Sequence, residues 1–242
     1  MAQLIPAPRR GFVQQVFERR IRELAAERGK LKIVEAGCGR EWSLSLEGVD
    51  YHLTGIDADA EALRARCETV GDLDEWHVGD LRTLSLEPAA YDVIYCAFVL
   101  EHISGARQVM DRFVEAVRPG GLIIIRIPDR DSVWGLVTRL LPFRMHVFYR
   151  RWFAGDKMAG KPGHAPYPTA YDRIVSYRGM TAYCAEHGLE VLDAYSSNFY
   201  LQDIGKLRYL VAPLTRLISA LSFGRVTARH NNLNFVIRKP VG

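Results

Sequence analysis

Several residues able to do chemistry stand just beyond apolar runs. Glu35-Ala36-Gly37-Cys38-Gly39-Arg40 closes one such run, and its glycines let the backbone turn tightly and approach a ligand with no Cβ in the way. Asp57 ends a second run, about 20 residues past Gly37, where a carboxylate accepts hydrogen bonds from ribose hydroxyls. Asp80 ends a third, and Cys96-Ala97-Phe98-Val99-Leu100-Glu101-His102 a fourth. In an open parallel sheet, ligands bind beyond the carboxyl ends of the strands, so these are the positions that would meet a nucleoside. A dinucleotide needs GxGxxG, but here Glu41 and Trp42 stand where phosphate and close packing belong. That argues against a nicotinamide oxidoreductase. The acidic set Glu35, Asp57 and Asp80 suits a sulfonium, which is cationic and has no phosphate.

The elements that must position these residues read from the apolar pattern. Residues 11–28 carry apolar side chains at helical spacing, closed by Gly29. Strands are predicted over 31–36, 51–57, 75–80, from Tyr91 onward and over 121–128, with helices over 58–68 and 105–118. Val/Ile/Leu runs alternating with helices predict a parallel sheet covered on both faces. The rhythm breaks after Asp129. An aromatic, Pro/Gly-containing and basic stretch over 129–177 reads as a cap, followed by a helix over 177–187 and a strand over 189–196. A helical insertion at 203–228 includes a 206–221 helix with one apolar face, and a last strand covers 231–239. These elements predict an α/β fold, one domain over 1–242 with seven strands and the inserted cap.

Composition agrees with a folded globular chain: 242 residues, 48% hydrophobic and 25% charged. Cys38, Cys67, Cys96 and Cys184 show no CxxC pair, so neither a metal site nor a disulfide framework is read, and a reducing, cytoplasmic setting is expected. The formal charge of +4 hides an asymmetry: residues 1–133 hold 17 Lys and Arg against 22 Asp and Glu, residues 134–242 hold 15 against 6. A basic second half suits an anionic small molecule, an anionic membrane surface or nucleic acid.

VEAGCGR, TGIDADAEAL, HVGDLRTL, YDVIYCAFVLEHI and VRPGGLIIIRIPD occur here in the order and spacing of class I S-adenosylmethionine-dependent methyltransferases. The chain resembles in particular the ubiquinone/menaquinone-type group. The resemblance implies a Rossmann-like doubly wound seven-stranded sheet, mostly parallel with an antiparallel last strand, and S-adenosylmethionine as cofactor, with the backbone of Ala36, Gly37, Cys38 and Gly39 at its methionine part and Glu35 at its amino group. It further implies Asp57 and Ala58 at the ribose, Asp80 and Leu81 at the adenine, and Cys96 and Ala97 beneath the methionine moiety. Many members carry a third glycine where this chain has Glu41, and 40–50 lacks a helical pattern.

Methyl transfer asks for alignment first and for a base only when the acceptor is a protonated group such as a hydroxyl. Candidate bases are His102, His146, His164 and Asp129. Tyr149, Arg150, Trp152, Tyr167 and Tyr171 of the cap are candidates for lining the acceptor pocket. The expected activity is methylation of a small molecule, anionic or linked to a lipid or sugar, at oxygen. Nitrogen or carbon methylation and a non-catalytic cofactor-binding protein are the alternatives. No Asn-Pro-Pro-aromatic run follows the fourth strand, which argues against nucleic acid as partner. The apolar face of the 206–221 helix fits the core, a second copy in a homodimer, or the periphery of an anionic membrane.

Overall fold

The computed structural model describes residues 3–152 (side chains of 149 and 150 excepted), 155, 157–161, 166–199, 201 and 204–241. Eight strands form one sheet in the order β1-β7-β8-β6-β5-β2-β3-β4. These are β1 (Ile5–Pro6), β2 (Leu31–Ala36), β3 (Tyr51–Asp57), β4 (Glu75–Val78), β5 (Tyr91–Ala97), β6 (Val117–Pro128), β7 (Glu190–Ser197) and β8 (Asn232–Arg238). The expected seven are β2 to β8, with β8 inserted antiparallel between β6 and β7. The eighth, β1, corrects the strand count: two residues pair in parallel with β7, too short for an apolar pattern to show.

The strands alternate their buried residues between two covered faces, as period-2 geometry requires. Ile33, Val93, Tyr95, Leu122 and Ile124 face α1 (Phe12–Arg28) through Phe17, Ile21 and Leu24. Val34, Ile94, Cys96, Ile123 and Ile125 face the other way, where α3 (Ala106–Ala116) contributes Met110 and Phe113 and α6 (Tyr177–Glu186) contributes Met180 and Tyr183. α2 (Ala60–Thr69) follows β3, its first turn capped by the Asp59 carboxylate, which accepts from the amides of Glu61 and Ala62. The stretch after β2, which has no helical pattern in sequence, is indeed non-helical: Leu44 and Leu46 are buried, and Trp42 packs edge-on against Tyr95.

After β6 the cap begins with α4 (Val133–Leu140) and α5 (Phe143–Trp152). Its last segment returns to the core by backbone and side-chain bonds. The amides of Ala170 and Tyr171 donate to the Glu101 carbonyl at 2.8 and 3.2 Å, and Asp172 Oδ2 accepts from the Gly105 and Ala106 amides at 2.7 and 2.9 Å. A cap residue thus satisfies the orphan donors that open α3, which has no capping side chain of its own. α7 (Arg208–Leu221) precedes β8, and a short 3-10 turn over Gly205–Leu207 leads into it. The core is excluded as the partner of its leucine face, because Leu207, Leu210, Leu214, Leu217 and Leu221 are all exposed.

Candidate functional site

A cleft of about 840 Å³ opens at the carboxyl ends of β2, β3, β4 and β5. Gly37, Gly39, Asp57, Ala58, Asp80, Leu81, Ala97, His102 and Tyr167 line it. Of the remaining residues read as cofactor contacts, Ala36, Cys38 and Cys96 lie buried beneath its floor.

The floor is held by a loop that only glycine builds. Gly37 and Gly39 have φ of 71° and 54°, the left-handed region. A Cβ on Gly37 would collide with Val99 of the opposite wall, whereas nothing lies within 4 Å of the position a Cβ would take on Gly39. The loop is tied to β3: the Gly37 and Cys38 amides donate to the Ile56 carbonyl at 2.7 and 3.0 Å, and the Gly39 amide to Asp57 Oδ2 at 2.8 Å. Asp57 Oδ1 accepts from the Asp59 amide at 2.9 Å, so the carboxylate is held at the lip of the cleft.

Beneath the loop lies Arg66, on the buried side of α2 and fully inaccessible to solvent. Its Nη1 donates to Glu35 Oε2 at 2.7 Å and to the Cys38 carbonyl at 2.8 Å, while Nε and Nη2 grip both oxygens of Asp72 at 2.9 Å. Burial disfavours the guanidinium charge, but the bonds to Asp72 and Glu35 outweigh that and hold the group protonated. Glu35 is pushed up to about 8 by burial, against the pull of Arg66. The structure therefore assigns the Glu35 carboxylate to the scaffold under the loop; it does not reach the cleft wall. Sequence reading passed over Arg66, although its place beside Ala62 and Leu63 on the apolar face of α2 marks a buried cation.

Asp80 is half-buried and bonded through both oxygens to Arg82, which holds its carboxyl down at about 2. On the opposite wall, Phe98 takes φ of 58°, rare for a bulky residue, with Arg126 stacked 5.2 Å from its ring centroid. Next along the wall is His102. Its Nδ1 lies 2.7 Å from the Pro168 carbonyl, which can only accept, so Nδ1 carries the hydrogen and Nε2 presents a lone pair. Burial lowers its pKa and keeps the ring neutral. Nε2 stands 3.8 Å from Glu101 Oε1, and the His102 ring meets Tyr167 edge-on at 5.8 Å. Glu101 is itself buried, its Oε2 has no hydrogen-bond partner among the described residues, and burial raises its carboxyl to about 8.

The other candidates lie elsewhere. Asp129 is buried and accepts from His230 Nε2 at 2.8 Å, a partner that sequence spacing does not suggest. His146 packs within the cap, its Nε2 3.3 Å from the Thr138 carbonyl. Tyr171 is buried with its backbone carbonyl on Arg130 Nε, and Trp152 is exposed against Phe148. None of these four lines the cleft. His164 and the side chains of Tyr149 and Arg150 fall outside the described residues.

Comparison with known proteins agrees with this architecture. The chain belongs to a family described as a methyltransferase domain, which matches residues 9–194. It is 23% identical over 155 residues to the malonyl-[acyl-carrier protein] O-methyltransferase of Erwinia billingiae, covering 64% of this chain and 61% of that one. It is also 28% identical over 162 residues to the ubiquinone biosynthesis O-methyltransferase of Paraburkholderia phytofirmans, covering 62% and 69%. The chain thus spans less than two thirds of the first of these relatives. In structure it is similar to a putative sarcosine dimethylglycine methyltransferase from Galdieria sulphuraria, with a TM-score of 0.58 at 12% identity over 96% of this chain and 85% of that one. The cyclase SpnF shares the fold at a TM-score of 0.55 and 14% identity, over 94% and 82%. The family and fold imply S-adenosylmethionine as cofactor. The cleft fits it: an open backbone approach at Gly39 and a pre-held carboxylate at Asp57 suit a nucleoside, and the lip is acidic toward a cation.

Two outcomes follow. Arg66→Met strands two carboxylates in a buried setting and is expected to lower unfolding free energy by about 3–5 kcal/mol. A denaturant titration checks this, and an unchanged midpoint would remove Arg66 as the support of the loop. Glu101 titrates at about 8 in the folded chain against an ordinary 4.5. Its neutral form favours folding, so that stability is complete at low pH and falls as pH rises from the ordinary value through about 8. Glu101→Gln removes the dependence. Its melting temperature should gain on the wild type between pH 5 and pH 8, and parallel curves would contradict the assignment.

Proposed function

We propose that the protein transfers the methyl group of S-adenosylmethionine to an oxygen of a small anionic acceptor, with His102 as the base. The observation that carries this reading is His102 Nε2, a neutral imidazole lone pair held on the wall of the same cleft that Gly37, Gly39 and Asp57 line. The cofactor supplies an already activated methyl group. Asp57, fixed by two backbone amides, is placed for ribose hydroxyls, Asp80 and Leu81 for the adenine edge, and the Gly37–Gly39 backbone for the methionine part.

Acceleration then rests on alignment and on removing one proton. A hydroxyl seated between the cofactor site and His102 would give its proton to Nε2, and the cofactor, when bound, would supply the methyl to that oxygen while its sulfur keeps the electron pair of the broken C–S bond. The Nδ1 hydrogen bond to Pro168 keeps the ring in the required tautomer and orientation throughout. The resulting imidazolium faces the Glu101 carboxyl 3.8 Å away, a buried acid whose ionisation would stabilise it. Tyr167 and Pro168 close the same wall, so the segment over the cleft also sets the base. Oxygen as the accepting atom is supported by relatives that are O-methyltransferases. An anionic acceptor is supported by Arg40 on the cleft lining and by the basic second half of the chain.

Two substitutions separate cofactor binding from chemistry. Asp57→Asn is expected to weaken S-adenosylhomocysteine binding by roughly tenfold or more in calorimetry, as loss of a charge-assisted pair implies. His102→Gln is expected to leave that affinity intact and to lower turnover by about 10²–10⁴-fold, with loss of the acidic limb of the pH profile. Full activity in His102→Gln would dismiss the base; unchanged binding in Asp57→Asn would dismiss the cofactor site.

A further inference from the structure

The outer face of α7 is an apolar stripe that the fold leaves uncovered. Leu207, Leu210, Leu214, Leu217 and Leu221 recur at alternating three- and four-residue steps, one side of a helix. Their exposures run from 54% at Leu214 to 71% at Leu210, and Phe223, in the turn that follows, is 92% exposed. That turn is held in place: Ser219 Oγ donates to the Val226 carbonyl at 2.8 Å, and the Val226 amide to Ser222 Oγ at 3.0 Å. The other side of the helix faces the protein, where Thr215 is buried. A contiguous apolar stripe of this kind on a folded chain marks an interaction surface.

The charges around the stripe select its partner. From residue 204 to the C-terminal Gly242 the chain holds seven Lys and Arg and not one Asp or Glu. Lys206, Arg208 and Arg216 lie in or beside the helix, and Arg225 lies beside Phe223. The cap segment 132–155 is likewise free of acidic residues, and its α5 exposes Met145 next to Arg144 and Trp152 next to Arg151. No described helix is long and apolar enough to cross a membrane.

We propose that α7 and its following turn dock the protein on the surface of an anionic lipid bilayer. The helix lies in the interface plane, with the leucine stripe and Phe223 at the level of the acyl chains and the basic side chains among the headgroups. A leucine stripe of this spacing also suits pairing with a second copy. Self-pairing, however, brings together two segments that are each basic, with no acidic residue in either to offset the other. Pro213, inside the helix, further removes one donor from the hydrogen-bond ladder that a long helical pair relies on. An anionic bilayer meets both features, the apolar and the basic, at once. The inference stands on this surface alone and does not depend on the acceptor or on methyl transfer.

Vesicle flotation of the full chain tests it, using phosphatidylcholine alone and phosphatidylcholine mixed with phosphatidylglycerol. The wild type is expected to float with the mixed vesicles at low salt, to stay behind with the neutral ones, and to be released as salt rises. L210E/L217E should abolish flotation while keeping its calorimetric affinity for S-adenosylhomocysteine. R208E/R216E should weaken it more than tenfold, since each basic residue near an anionic surface adds roughly fivefold. Failure of the wild type to float, or flotation of L210E/L217E at the wild-type level, overturns the proposal. So does sedimentation of the wild type as a dimer that L210E/L217E converts to a monomer, because the stripe would then belong to a second copy.

Discussion

The guanidinium of Arg66, buried under the glycine loop, distributes its donors over three parts of the chain at once. It binds the end of β2 through Glu35, the loop itself through the Cys38 carbonyl, and the segment after α2 through Asp72. A loop with two left-handed glycines has little stiffness of its own, and this bonding from below, together with the β3 carbonyl of Ile56 from the side, keeps the Gly39 amide facing Asp57. A buried ion cluster of this kind adds little net stability compared with an apolar core but strongly penalises its own disruption. The cost of desolvating Arg66 is thus converted into one defined arrangement of the cleft floor.

The opposite wall is held by the same logic applied to backbone groups. Ala170 and Tyr171 bind the Glu101 carbonyl, Asp172 caps α3, and Pro168 orients His102. Residues 168–172 therefore join the cap to the helix start and to the imidazole in a single short run. Movement of this run would change the base, the closure of the cleft and the α3 cap together. Such coupling is what a site needs when its rate depends on alignment.

Most of the fold was legible in the sequence because buried strands and amphipathic helices carry their own periodicity. The seven principal strands and the missing helix after β2 follow from apolar patterns and turn residues, and the antiparallel place of the last strand from the resemblance its motifs carry. The cleft residues Gly37, Gly39, Asp57, Asp80 and His102 were legible from their place at strand ends. What escaped was pairing across the chain. Nothing local to Asp129 announces His230, nothing local to Glu35 announces Arg66, and Asp172 caps a helix 67 residues away. The fate of the leucine face of α7 was equally illegible, since its period is the same whether a core, a second copy or a bilayer covers it. Only the exposure of those five leucines decides against the core.

On the proposed function, the floor built on Arg66 and the wall carrying His102 enclose one cofactor and one acceptor. A crystal structure of the complex with S-adenosylhomocysteine tests it most directly. The expected complex has ribose hydroxyls on the Asp57 carboxylate, the homocysteine part along Gly37 to Gly39, Arg66 still bonded to Glu35, and the sulfur directed toward the side of the cleft where His102 Nε2 lies. A ligand bound elsewhere, or one bound here with its sulfur turned away from His102, would contradict it.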